Sequence, residues 1–151
     1  MFVRVQAHEM KPLMNCVAAS DLVNGAPAAY DAEERSLDSA DRNTEYIVVS
    51  GDTFGHMGAI IEPTDAMNEN IAAGDLCLRY VFEVGDIIAT TEFDLDGADL
   101  MGCNLEVEDG KFVTGDVGSM FVCLGHYDNP WGLDMIMVER RAQAYSAPNP
   151  T

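Results

Sequence analysis

The chain has 151 residues, 48% of them hydrophobic, which suits one domain with a real core and excludes a disordered chain. Asp and Glu number 26 against 8 Lys and Arg, a formal net charge of −18. The acids divide evenly, 13 in residues 1–75 and 13 in residues 76–151, so the charge belongs to the whole surface. Such a surface repels nucleic-acid phosphates and favours basic partners, cations or a salty environment. The start, MFVRVQAHEMKP, is too polar for a signal peptide, and no apolar run is long enough to cross a membrane. Synthesis in the cytoplasm and no membrane partner are the expectations.

In chain order, residues 2–7 alternate and read as a short strand or an extended arm, interrupted by Lys11-Pro12. Residues 13–19 are apolar enough for a second strand. Ser20-Asp21 and Asn24-Gly25 mark turns, and the proline of Gly25-Ala26-Pro27 extends the chain that follows. Residues 31–45 form an acidic insertion poor in large apolar side chains, expected to be a short helix over 32–40 or an exposed loop. Residues 46–49 and 59–61 read as strands, and residues 64–73 could hold one helical turn capped by Thr64 or Asp65.

The clearest stretch is 76–113. Residues 76–82 are almost unbroken apolar, interrupted only by Arg79, and Gly85-Asp86 turns the chain into the β-branched run 87–93. Cys103, Leu105 and Val107 fall on one face of a strand by alternation. The segment LEVEDGKFV then reads as a hairpin, with Asp109-Gly110 suited to a type I′ turn. Residues 119–124 and 133–138 close the series, with the aromatic loop HYDNPWG (126–132) between them and a polar tail over 140–151. Nine to eleven short strands with little helix predict an all-β fold, a single-domain barrel or sandwich over residues 13–139.

No catalytic motif accompanies this pattern. His8, His56 and His126 are far apart and lack metal-ligand spacing, and the paired histidines and glutamate of a cupin are missing. The acidic turn from Asp94 to Asp99 resembles a calcium loop, but Leu105 stands where the twelfth-position glutamate is required. No serine has a nucleophile-elbow setting, and phosphate-loop and dinucleotide fingerprints are absent. The glycine-rich motifs of a trimeric dUTP-hydrolysing enzyme are missing as well. Cys16, Cys77, Cys103 and Cys123 form no C-x-x-C pair, and their apolar flanks point to buried free thiols. The nine methionines read as adaptable core filler or a sticky surface. Trp131 beside Tyr127 in a loop is either a contact anchor or a lid on the end of a barrel.

With its extended start, the turn and proline at Asn24-Gly25-Ala26-Pro27, and the strand-turn series of residues 83–113, the chain resembles the small head decoration (cement) proteins of tailed bacteriophages. The long acidic segment departs from that pattern. The resemblance implies a non-enzymatic virion protein on the capsid exterior, without a cofactor. Its partners would be the major capsid protein and neighbouring copies of itself. An arm over residues 1–12 and the aromatic loop would make the contacts, through Phe2, Val3, Arg4, Val5, Tyr127, Pro130 and Trp131. The alternatives are a small-ligand or enzymatic barrel using His56 or His126, and a tail or neck component of a virion.

Overall fold

The computed structural model describes residues 2–6, 14–40, 46–49, 70–95, 101–115, 120–130 and 132–141. Among these residues the chain is all β, and no helix forms. In chain order the strands are β1 (Phe2–Gln6), β2 (Met14–Ala18), β3 (Leu22–Val23), β4 (Pro27–Asp31), β5 (Ser36–Ser39), β6 (Tyr46–Val49) and β7 (Asn70–Ile71). They continue as β8 (Leu76–Val81), β9 (Ile87–Thr90), β10 (Phe93–Asp94), β11 (Asn104–Glu108), β12 (Lys111–Thr114), β13 (Phe121–His126) and β14 (Ile136–Arg140). A seven-stranded sheet runs β1-β9-β14-β13-β11-β12-β10, a closed barrel runs β2-β5-β4-β6-β8, and β3 pairs with β7.

The seven-stranded sheet cannot be flat. Thr90 ends β9 and Phe93 begins β10, yet these strands stand five places apart in the sheet. Five strand spacings of about 4.8 Å would separate them by about 24 Å. The three Cα steps from Thr90 to Phe93 reach at most about 11 Å. The sheet must therefore roll up until its two ends approach. The break that allows this comes after Thr90, whose hydroxyl donates to Gly25 O and accepts from Glu92 N. The single strand expected over residues 87–93 is thus two strands five places apart in one rolled sheet, β9 next to the β1 edge and β10 at the other edge.

The barrel and the rolled sheet share their largest core. On β6, Ile47 and Val49 point into it, and Val48 points into the barrel. On β8, Tyr80 and, just past the strand end, Phe82 enter the shared core, while Cys77 faces inward. Strands that bury side chains from both faces read as near-continuous apolar runs, as residues 46–49 and, apart from Arg79, residues 76–82 do. From the rolled sheet, Ile88, Leu105, Val107, Phe112, Phe121, Cys123, Ile136 and Val138 meet them. Phe121 anchors the junction. Its ring stacks on Phe82 at 5.7 Å and meets Phe112 edge-on at 5.4 Å. Each such aromatic pair adds roughly 0.5–1.5 kcal/mol beyond area burial.

Arg79, the one charge in the β8 run, shares the inward face with Val48, its partner in register. Its guanidinium lies 3.6 Å from the Tyr30 ring centroid and 5.3 Å from that of Tyr46. The tyrosine faces hold the cation where an aliphatic neighbour could not. Asp86 is the fully buried acid of the β8–β9 turn. Its Oδ2 accepts from the Tyr80 hydroxyl at 2.9 Å and from Glu83 N at 3.0 Å.

The acidic insertion is neither helix nor loop over its described part. Residues 31–36 form a hairpin turn, and Ser36–Ser39 returns as β5 against β4. Asp31 Oδ1 accepts from Glu33 N and Glu34 N, and Arg35 takes a left-handed φ of 52° to close the turn. Leu37, fully buried, supplies the apolar anchor, with Ala40 just beyond it. One inward leucine among charges was too faint a period to announce a strand. Of the expected helical turn over 64–73, the described end, Asn70–Ile71, is strand β7. Its first part, like the expected strand over 59–61, lies outside the described residues.

The LEVEDGKFV hairpin matches expectation. Glu108 pairs with Lys111, leaving a two-residue loop, and Asp109 and Gly110 have φ of 54° and 74°. Gly115, just past β12, is needed for a different reason. It donates to Asn104 O, and a Cβ there would lie 2.8 Å from both Glu106 N and the Leu105 carbonyl carbon. That backbone cannot give way. Gly115→Ala is therefore expected to cost about 2–3 kcal/mol by overpacking. At Gly110 an added methyl meets only the Ser39 side chain, at 3.5 Å, so Gly110→Ala costs only the left-handed backbone penalty, about 1 kcal/mol. Urea denaturation of both variants checks the order; equal losses would contradict the close approach at Gly115.

Candidate partner-binding surface

The barrel is closed and β3 and β7 pair over only two residues, which leaves, among the described residues, the two outer edges of the rolled sheet. One is β10, only two residues long; the other is β1, five residues long. Residues 2–6, expected to be a short strand or an extended arm, are a strand of the chain's own sheet, antiparallel to β9. Phe2, Val3 and Arg4 are paired with Thr90, Ala89 and Ile88. The register shifts between Arg4 and Gln6, leaving Val5 in a bulge with 40% of its surface exposed. Among the described residues no strand pairs with the other edge of β1. A bulge restricts further pairing to the regular part of such an edge, here Phe2 to Arg4.

Ala89, opposite Val3, is the link to the second predicted element. It is fully buried, and so is Met135, on the sheet face turned away from the shared core. Tyr127, Leu133 and Met137 pack against them. Tyr127 and Leu133, at the two ends of the loop after β13, therefore lie against β9 and β14 on that face, and β9 is the strand next to β1. The N-terminal strand and the aromatic loop thus both meet β9, a link that the sequence separation of more than a hundred residues conceals.

The loop is built to hold its shape. Tyr127 N donates to Met135 O at 2.9 Å. Asn129 then clamps both sides, with Nδ2 donating to Tyr127 O at 3.2 Å and to Leu133 O at 2.8 Å, and Oδ1 accepting from Leu133 N at 3.1 Å. Pro130, next to Asn129 in the chain, is exposed. Tyr127 is half-buried, its ring spent partly on the chain's own core; Trp131 lies outside the described residues. The clamp and the Met135–Ala89 contact are what sequence reasoning missed. Asn129-Pro130 signals a turn, but nothing in sequence tells that the amide spans it.

His126 lies at the end of β13, exposed, with Nδ1 3.5 Å from Asp134 Oδ1. His8 and His56 lie outside the described residues, so no convergence of histidines can be read. Asp94 is exposed on β10, and the remainder of the acidic turn, residues 96–99, lies outside the description. Among the described residues no cluster of three or more His, Cys, Asp or Glu side chains could hold a metal ion. No helix among them is long and apolar enough to cross a membrane. Around the loop, Asp128 and Asp134 are exposed, as are Asp31, Glu33, Glu34, Asp38, Asp75, Glu83, Glu108 and Asp109 elsewhere. A complementary surface would be basic or neutral.

No protein-family model matches the chain, and no curated protein matches it in sequence.

If Asn129 pre-organises the loop, Asn129→Ala should free it without unfolding the protein. Hydrogen exchange at Tyr127 and Leu133 should accelerate at least about tenfold, with a global stability loss of only about 1–2 kcal/mol. Unchanged exchange at these two amides would show that packing on Met135 alone fixes the loop.

Proposed function

We propose that the chain is a structural protein that attaches by one end of its rolled sheet, and that it acts as a decoration protein on the outside of a bacteriophage capsid. The observation that carries this reading is that β1, unpaired on its outer side among the described residues, lies next to β9, against whose Ala89 the pre-formed loop over residues 126–133 packs through Tyr127 and Leu133. An open edge offers backbone donors and acceptors to an added strand. A loop already held in shape loses little entropy on contact. Lattice attachment by many identical copies asks for this combination: a rigid body, one adhesive end, and an acidic remainder that discourages self-aggregation.

The partners in this reading are the major capsid protein and neighbouring copies of the chain. The acidic surface makes nucleic acid and anionic lipid poor partners. No catalysis and no cofactor are part of the proposal. A ligand-holding barrel is the weaker reading on a specific observation: the barrel interior is filled by Cys16, Ala18, Ala28, Leu37, Val48 and Cys77, all 3% exposed or less. A tail or neck role would use the same adhesive end at low copy number.

The experiment is a copy count in particles purified from the source, by quantitative mass spectrometry against the most abundant shell protein. The proposal expects a ratio near one per shell subunit or a simple fraction of it. A handful of copies would indicate a tail or neck part, and absence would discard the virion reading. A paired variant locates the surface. Val5→Lys with Pro130→Gly should lower occupancy on stripped capsids at least about tenfold while leaving the melting temperature within a few degrees. Full occupancy by this variant would remove β1 and the loop from the contact.

A further inference from the structure

We propose that Cys16 and Cys77 are a redox-active dithiol that closes to a cross-strand disulfide when the protein meets a peroxide. The two residues are direct partners in register across the β2–β8 seam of the barrel. Their side chains share the barrel interior, and their sulfurs stand 3.4 Å apart. Directly opposed antiparallel residues have Cα atoms about 4.5–5.5 Å apart, inside the range that a disulfide spans. The bond forms when the sulfurs approach by a little over 1 Å, to about 2.05 Å, a movement within reach of side-chain rotation.

The pair is also differentiated chemically. The hydrogen bond shared with the Cys77 thiol lowers the pKa of the Cys16 thiol, an effect that outweighs burial, with Arg79 adding to it. The same bond, together with burial, pushes the Cys77 thiol up. Cys16 is thus the nucleophile and Cys77 the resolving thiol. By contrast, burial raises the Cys123 thiol, whose sulfur accepts from Gly125 N at 3.4 Å.

The chemistry balances without any bound group. Cys16 thiolate attacks one peroxide oxygen and the O–O bond breaks; Cys16 becomes a sulfenic acid and hydroxide leaves. Cys77 sulfur then attacks Cys16 sulfur, the S–S bond forms and the S–O bond breaks. The departing hydroxide takes the Cys77 proton as water, and the first hydroxide takes the proton that Cys16 gave up. Two thiols lose two electrons, and one hydrogen peroxide becomes two waters. Peroxide is small enough to reach thiols only 3% and 1% exposed, at a seam where β2 is otherwise held by two residue pairs with β5.

The consequence is a lock. The disulfide would tie the seam that closes the barrel and join chain segments 61 residues apart. The long loop it closes predicts a melting temperature higher by roughly 5–15 °C.

The test uses the full reduced chain, folded, treated with excess hydrogen peroxide, quenched with catalase, then unfolded and alkylated with N-ethylmaleimide. Two of the four cysteines should escape alkylation, and peptide mapping should join Cys16 to Cys77. Dithiothreitol should restore all four thiols and the lower melting temperature. Cys77→Ser should strand Cys16 as a sulfenic acid that dimedone captures. The proposal is overturned if all four thiols remain alkylatable after peroxide. A Cys103–Cys123 link in place of Cys16–Cys77, or oxidation of Cys16 to a sulfinic acid in the wild-type chain without a crosslink, would overturn it equally. The wild-type map decides the matter even if the serine variant does not fold.

Discussion

Everything in this fold depends on two strands being apolar on both faces. β6 and β8 line the inside of a closed barrel with one face and plug a rolled sheet with the other. A five-stranded barrel alone would leave Ile47, Val49, Tyr80 and Phe82 in water. The rolled sheet alone would be an open trough lined by Phe112, Phe121, Leu105 and Ile136. Each half completes the other's core, and the stacked Phe82 and Phe121 rings lie where the two meet. Polar groups stabilise the same junction at its margins: Thr90 bonds Gly25 between sheet and barrel, and Asp86 holds the Tyr80 hydroxyl.

This arrangement determines where recognition can occur. Closing the barrel removes its edges, and among the described residues the rolled sheet keeps two, β10 with two residues and β1 with five. The loop after β13 is drawn to β9, the strand next to β1, because Met135 and Ala89 need cover on the face away from the core. The loop's place against β9 is therefore a by-product of completing the fold, with Asn129 holding its shape. Nearly all the described acids remain outside, where their like charges discourage non-specific association between copies.

Much of this architecture was legible in the sequence. Alternation placed Cys103, Leu105 and Val107 on one face, and Asp109-Gly110 specified its hairpin because positive φ at both positions admits few residues. Continuous apolar runs gave β6 and β8 their strand character. What escaped was non-local. Nothing in residues 87–93 shows that the chain leaves one end of a sheet and rejoins it at the other. The β5 strand hides behind acids because only Leu37 and Ala40 among residues 36–40 are apolar and buried. Of the proposed contact residues, Val5 and Pro130 are exposed and Tyr127 is half-buried, but their neighbourhood arises from strand order, which local pattern does not encode.

The dependence of both halves on one shared core is tested most directly by native-state hydrogen exchange in rising denaturant. Val48 N, in the barrel, donates to Ala26 O, and Cys123 N, in the rolled sheet, donates to Cys103 O. The account predicts that both amides exchange through a single global opening, with their free energies converging on the same line against denaturant. Separate openings, with Val48 exposed at a free energy several kcal/mol below Cys123, would mean that the barrel melts on its own and that the shared core does not unite the fold.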